Sequence, residues 1–383
     1  MSSFAIIYHY PCLDGVLGAL AARLHCAHVS PTAAITFHPL ATWAKEEERA
    51  ALVSSLRGSG TVAYVIDISG SLDFIRALCG VCERVVLLDH HKAAFEVQEG
   101  LDASAGGRPA NFEACTVLDR SGCVIAWNYF KLGGSCAAAL GGDPAVGERL
   151  QQCFALAEDQ DLFTFLLPQT KGFAAAVGEA KIEYNAAKNP GLWEALLSLD
   201  PAALSASGAQ LLQKQADIRA GEREGAFVVK VFPEGSPAQV ALECLAIVSK
   251  HPDLRSEAGN ELAQLSKARG LAPAGVVAYF EPGAGAGTIK VSIRSLPELD
   301  VAEVCKLHGG GGHKVRVTPC YPLFITPQHW PHKSELTHTH PTRTRPRILF
   351  IYLYRMLHPA LYQRPRLPPG DSNNTHSKLI IAI

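Results

Sequence analysis

No run in this chain is long and apolar enough to cross a bilayer. The longest late apolar stretch, Ile348 to Tyr354 with Met356-Leu357, is short and interrupted, where a spanning helix needs about 20 apolar residues. No secretory leader precedes the first strand pattern at about Phe4, so the expectation is a cytoplasmic protein with no membrane partner. The eleven cysteines lack a framework spacing. A chain of 383 residues has core enough to need no staples, so the cysteines read as reduced thiols of an intracellular protein. Cys79-Gly80-Val81-Cys82 lacks a second pair at zinc-site spacing and reads as two half-buried thiols at a helix end. A long basic track is also missing. Nine Lys/Arg and two acids (Glu335, Asp371) follow Lys314, which leaves the preceding body eight charges negative. That argues against duplex nucleic acid and is compatible with a small anionic substrate held by metal ions.

What is present is a globular composition, 48% hydrophobic and 19% charged, long enough for two domains. The first half alternates strand and helix patterns. Strands are expected at Phe4–Tyr8, Ala34–Phe37, Val62–Ile66 and Val85–Leu88. Helices are expected at Gly15–Leu24, Ala41–Leu56 (with Lys45 and Glu46 to Arg49 on the wet side) and Leu72–Leu78. This βαβαβ rhythm predicts an α/β domain, a parallel sheet with helices on both faces. Ligands of such sheets bind at the strands' C-terminal ends. Further helices are expected at Cys123–Leu132, Pro144–Ala157 and Pro201–Ala220. Strand signals resume at Ala226–Phe232, Ala241–Val248, Gly275–Phe280 and Thr288–Ile293, with a glycine-rich turn at 281–287 and a short helix at Leu299–Leu307. The expected domains are 1–200, a helical linker 201–225, and a smaller α+β domain at 226–314 across a cleft from the first. Ten of the 24 prolines fall in the last 69 residues, and no periodicity persists there. Residues 315–383 read as an irregular Pro/Arg/His-rich tail of translated non-coding sequence. Val315-Arg316-Val317 can be written with codons beginning GTG-CG, as at an intron's 5′ boundary. A disordered basic tail that meets nucleic acid is the alternative. RNA reads running continuously across the codons for Lys314 and Val315 in the main transcript would count against the intron.

Chemistry concentrates where strands end. Asp89-His90-His91 follows Val85–Leu88. His9, with Cys12, Asp14 and Gly15 close behind, follows Phe4–Ile7. Asp67 ends Val65-Ile66, and Asp159 and Asp161 end a helix. A carboxylate at 67 could cap the following helix, but Ser69 and Ser71 are nearer candidates. Clustered imidazoles and hard carboxylates suit Mn²⁺ or Mg²⁺. Two such ions roughly 3.5–4 Å apart clamp the attacking and leaving oxygens of a phosphoester hydrolysis and activate a water between them.

This ordered set, with Gly309-Gly310-Gly311-Gly312-His313 far downstream, resembles the DHH phosphoesterase family over about residues 4–314. It looks like the branch with the DHH-associated C-terminal domain, which includes RecJ-type exonucleases and short-oligonucleotide phosphatases. The resemblance implies a hydrolase with two divalent ions, Mn²⁺ before Mg²⁺, acting on short oligonucleotides or nucleotide phosphates. A homodimer is compatible with it. His9 and Asp67 would bind the first ion. Asp14, Asp67, His90 and Asp159 would bind the second, with Asp67 bridging and Asp161 a rival for Asp159's place. His91 would touch the phosphate, and Asp89 would orient a ligand from behind. Gly309 to Gly312, His313, Lys314 and Arg294 would grip the substrate's far end. The family's first motif has an aspartate where this chain has Cys12, a softer ligand biased toward zinc or iron. After Lys314 the family's small-residue segment and last strand are replaced by Val315-Arg316-Val317-Thr318-Pro319, so the closing strand is expected to be missing. Pyrophosphate or polyphosphate hydrolysis is a second reading, against which the glycine loop argues. A catalytically weak nucleotide-binding protein is a third, favoured by Cys12 and the altered C-terminus.

Overall fold

The computed structural model describes residues 3–57, 60–132, 143–231, 242–280, 289–301, 311–313, 316–318 and 379–380. Contacts divide the chain into two units, Met1–Gln213 and Lys214–Ile383. The expected turn at 281–287, and Gly309, Gly310 and Lys314, lie outside the described residues. So do residues 302–307 of the expected helix Leu299–Leu307, while Leu299–Val301 are described and are not helical.

The first unit is built on five parallel strands: β1 (Ser3–His9), β2 (Ala34–Leu40), β3 (Thr61–Ile66), β4 (Arg84–Asp89) and β5 (Phe112–Thr116). Their order across the sheet is β2-β1-β3-β4-β5. Strand side chains alternate between faces, and β1 shows the consequence. Phe4, Ile6 and Tyr8 enter one core with Leu17, Leu20 and Trp127. Ala5 and Ile7 enter the other with Val65, Phe74 and Ile75. Both faces are therefore covered by helices, which is why the strands read as unbroken apolar runs. Each fully buried Leu, Ile or Phe in these layers stabilises the fold by about 1.5–3 kcal/mol.

The covering helices are α1 (Leu13–Val29), α2 (Glu46–Ser55), α3 (Leu72–Cys79), α4 (Lys92–Asp102), α5 (Gly122–Tyr129), α6 (Pro144–Asp161), α7 (Thr170–Ala180) and α8 (Leu192–Leu197). Helix α2 opens on Glu46, Glu47 and Glu48, which favour its positive N-terminal end. Ser71 caps α3 by accepting from the Phe74 amide, so the cap is not Asp67. Strand β5 and helix α4 were not expected from the sequence. The first is only five residues long. The second follows directly on the Asp89 cluster, whose polar residues mask its start. The strand order places the switch between β1 and β3, where neighbouring connections depart in opposite directions and a crevice opens at the carboxyl ends.

Helix α9 (Pro201–Glu224) crosses the boundary between units. The second unit is a mixed sheet of β6 (Phe227–Val231), β7 (Leu242–Val248), β8 (Ala274–Phe280), β9 (Ile289–Ser295), β10 (Gly311–His313), β11 (Arg316–Thr318) and β12 (Leu379–Ile380). Their order is β10-β11-β9-β8-β7-β6-β12. Helix α10 (Arg255–Ala268) packs Ala258 and Leu262 against Leu245 and Val277. Its buried face is small and partly glycine, which hid it in the sequence. The expectation that residues 315–319 supply no strand is not met. Arg316 and Val317 pair antiparallel with Arg294 and Ile293 of β9, and Gly311–His313 forms a strand beside them rather than a loop. Leu379 and Ile380, inside the stretch expected to be irregular, pair parallel with Val229 and Lys230. Among the described residues no helix is long and apolar enough to cross a membrane.

Candidate metal centre

Asp67 is the hub. It follows β3 directly and leaves the ladder with φ 60, a left-handed conformation that non-glycine residues seldom adopt. Its amide still donates to Leu88 O at 2.9 Å, which ties the turn to β4. Backbone strain of this kind persists only where the surroundings enforce it, and it clusters at functional sites. The turn leaves Asp67 only 1% exposed. His9, at the end of β1, places Nδ1 3.1 Å from Asp67 Oδ2. His90, at the end of β4, places Nε2 3.3 Å from Asp67 Oδ1 and 3.3 Å from Asp161 Oδ2.

Three groups have ligand atoms within 4.8 Å of one another: His9, Cys12 and Asp67; Asp14, His90 and Asp161; and Asp67, Asp89, His90 and His91. Asp67 belongs to two of them and His90 to two. The donors fit hard divalent cations. Asp14 Oδ2, Asp67 Oδ1, Asp89 Oδ2 and His90 Nε2 are buried without an aligned hydrogen-bond partner among the described residues. Such atoms are costly unless something else satisfies them. A built cradle supports the same conclusion. A Cβ added to Gly122 would lie 2.7 Å from Asp67 Cβ and 2.9 Å from Asp14 Oδ2. Glycine at the start of α5 is what keeps this space open.

The remaining predicted residues differ in whether their oxygens are already taken up by hydrogen bonds. Asp14, in the first turn of α1, accepts from the Cys123 amide at 3.0 Å through Oδ1 and leaves Oδ2 toward Asp67 and Gly122. Asp89 Oδ1 accepts from the His90 amide at 2.7 Å, the His91 amide at 3.0 Å and His91 Nδ1 at 2.8 Å. Asp89 thereby orients the two histidines. Asp159 and Asp161 separate clearly. Asp159 Oδ1 accepts from Thr164 Oγ1 at 2.6 Å and the Leu166 amide at 2.7 Å. Its Oδ2 accepts from the Leu167 amide at 3.1 Å and from Thr170 Oγ1. Both oxygens are consumed in closing the 162–170 loop, so the structure brings Asp161, and not Asp159, to the centre. Arg294 is buried in the second unit, its Nη2 donating to Ser256 Oγ at 2.8 Å. Gly311, Gly312 and His313 lie in β10 of that unit.

The protonation landscape follows from the packing. Burial, then the nearby Asp67 and Asp161, pushes Asp14 up to about 8. Burial, then Asp67, also raises Asp161. Burial would raise Asp67 too, but the His9 hydrogen bond and the close imidazoles of His90 and His91 overcome it and hold Asp67 at about 2. The hydrogen bond to Asp89 lifts His91 to about 9. Burial, then the nearby Asp67, pushes the Cys12 thiol up to about 12 in the metal-free protein. Sequence reasoning missed Gly122 and Cys123. The signal was Ser121-Gly122 opening a helix just after a strand, with no side chain to announce its role.

The fold and centre together define an α/β protein with a strand-end cluster of imidazoles and carboxylates. No family model matches the chain, and no curated protein matches it. Among solved structures it is similar to an exopolyphosphatase-related protein from Bacteroides fragilis, at 10% identity and TM-score 0.36, over 94% of this chain and 93% of that one. It is also similar to the exonuclease RecJ bound to manganese, at 15% identity and TM-score 0.37, over 83% and 85%.

Proposed function

We propose that the protein is a metal-dependent phosphoesterase that hydrolyses a phosphodiester or a 3′-phosphate in nucleotides or short oligonucleotides. The observation that carries this reading is two ligand sets, His9–Cys12–Asp67 and Asp14–His90–Asp161, with Asp67 Oδ1 3.3 Å from His90 Nε2 to join them. Divalent cations bound there, with Mn²⁺ the best match to the donor set, supply Lewis acidity toward a phosphoryl oxygen and lower the pKa of an attacking water. The protein's own part is positional. Asp67 bridges the two sets, and its strained turn fixes the direction of both oxygens. Asp89 accepts from His91 Nδ1 and so holds that ring, leaving Nε2 to donate to a phosphoryl oxygen. His91 is half exposed, as a group that meets substrate must be. Gly122 keeps side-chain atoms out of the reaction space.

One observation favours a weaker relative of this reading. Cys12 offers a soft sulfur where a carboxylate would bind a hard ion better, which loosens the His9 side. A protein with that side empty would bind nucleotide with little turnover.

The test is release of phosphate or nucleotide with Mn²⁺ from a dinucleotide, phosphoadenosine phosphate, a cyclic dinucleotide and pyrophosphate. Asp67→Ala is expected to abolish turnover while circular dichroism stays native. Turnover by the variant at the wild-type rate would refute the assignment. Silence of the folded wild type across the panel would favour the binder.

A further inference from the structure

Among the described residues, sulfur enters the centre at one place. Eight described cysteines carry free thiols. Of these, Cys12 alone belongs to a group of candidate ligands, with His9 and Asp67. Cys123 meets Asp14 through its amide, and its sulfur is engaged 3.3 Å from Ser121 Oγ. The backbone leaves the Cys12 sulfur available. Cys12 precedes α1 in an extended conformation, φ −141 and ψ 136, where a side chain often caps the helix, yet its sulfur makes no capping hydrogen bond. Its carbonyl takes the Val16 amide at 3.2 Å. The sulfur is left facing His9 and Asp67, and the three ligand atoms lie within 4.8 Å of one another. Asp67 is 1% exposed, and its ion-pair partners among the described residues are histidines.

The two ligand sets therefore differ in donor chemistry. One offers an imidazole, a sulfur and a carboxylate. The other, Asp14, His90 and Asp161, offers two carboxylates and an imidazole. Zinc outcompetes manganese at most sites of nitrogen, oxygen and sulfur, and a thiolate widens that margin, whereas carboxylates suit hard ions. The sulfur thus sets the two sides apart. It loosens the His9 side for a hard ion and tightens it for zinc. Binding there displaces the thiol proton to solvent, as metal ligation of cysteine does. Three protein donors leave the fourth position of a tetrahedral zinc for water or a substrate oxygen.

We infer that the centre is built for two different metals. His9, Cys12 and Asp67 select zinc, while Asp14, His90 and Asp161 keep a hard ion such as Mn²⁺. This inference rests on the two-ion centre of the proposed function and deepens it. Manganese supplied alone fills both sets, and zinc supplied afterwards displaces it first from the His9 side.

The test is metal binding by the full chain after removal of metal with chelator, on wild type, Cys12→Ser and Cys12→Asp, with circular dichroism as the check on folding. Co²⁺ serves as the visible stand-in for zinc. The first equivalent of Co²⁺ is expected to give wild type its full sulfur-to-cobalt charge-transfer band in the near ultraviolet, and Cys12→Ser is expected to lack the band. Zinc is then titrated into protein preloaded with Mn²⁺. Zinc is d¹⁰ and carries no spin, so one equivalent should convert the coupled manganese signal of wild type into that of an isolated Mn²⁺. Cys12→Asp should need at least about tenfold more free zinc for the same conversion. Two ions bound by wild type with no charge-transfer band would overturn the mixed centre and leave the phosphoesterase reading standing. A band that waits for the second equivalent, or equal zinc thresholds in wild type and Cys12→Asp, would overturn the selection of zinc by the His9 side. Folded wild type that binds no ion would overturn this inference and the phosphoesterase reading together.

Discussion

Asp159 and Asp161 stand two residues apart on the last turn of α6, yet the regions they serve are built on opposite principles. Around Asp159 the protein supplies every partner. Two hydroxyls and two amides meet its two oxygens, and the loop to α7 closes on them. Around Asp161 the protein supplies acceptors and imidazoles but few donors, and the buried oxygens of Asp14 and Asp67 are left open beside it. Two carboxylates of one type and one helix thus differ in whether the fold satisfies them. A satisfied buried carboxylate holds structure together. An unsatisfied cluster of them is costly unless something else satisfies it.

That contrast can be broken by substitution. Asp159→Ala orphans Leu166 N, Leu167 N and the two threonine hydroxyls, and is expected to cost about 3–5 kcal/mol of stability. Urea unfolding measures it, and a loss under about 1 kcal/mol would show that the loop does not depend on Asp159. Asp161→Ala should leave the metal-free protein as stable or more so, because it removes repulsion with Asp67 and Asp14. It should weaken Mn²⁺ binding by more than the roughly tenfold to hundredfold seen when mere outer partners are removed. Calorimetric titration reads this, and wild-type affinity would move Asp161 out of the centre. Gly122→Ala adds a Cβ 2.7 Å from Asp67 Cβ. It is expected to reduce Mn²⁺ affinity while the far-ultraviolet circular dichroism is unchanged. Full affinity there would mean that the cradle has room to spare.

The two regions should also answer pH with opposite signs in metal-free protein. Asp159 is held at about 2 against an ordinary 3.8, where burial is outweighed by hydrogen bonds from Thr164 and Thr170. Its contribution is full above pH 3.8 and is lost as pH falls through about 2. Asp14 is raised from 3.8 to about 8. The advantage of its protonated form is full below pH 3.8 and is lost as pH rises through about 8. Thermal melts in chelator from pH 4 to 8 should therefore show declining stability toward pH 8, reversed by Mn²⁺. A curve that rises steadily over that range would contradict the packing of Asp14.

The sequence announces the strand-end residues because parallel strands buried on both faces read as solid apolar runs, and a His or Asp at the end of one stands out. Asp67, Asp89, His90 and His9 are legible on that ground, as is the layered α/β architecture. Asp159 and Asp161 are not separable by spacing. At 100° per residue they differ by about 200° around the helix, so one faces the loop and the other the centre, and only the packing says which. Gly122 was invisible because its role is the side chain it lacks. Arg49 was read as wet because α2 is polar along most of its length, and the fold nearly covers it. Helix α10 was missed because its buried face is made of small residues that give no strong periodicity.

The central claim is that the centre holds two ions on ligand sets joined by Asp67, with Asp161 and not Asp159 among them. The measurement that tests it most directly is Mn²⁺ stoichiometry by calorimetry and electron paramagnetic resonance on wild type, Asp67→Ala, Asp161→Ala and Asp159→Asn, the last keeping side-chain volume and one carbonyl acceptor. The account predicts two ions with spin coupling in wild type and Asp159→Asn, fewer than two in Asp161→Ala, and no coupled pair in Asp67→Ala. A coupled pair that survives Asp161→Ala and is lost in folded Asp159→Asn would contradict it.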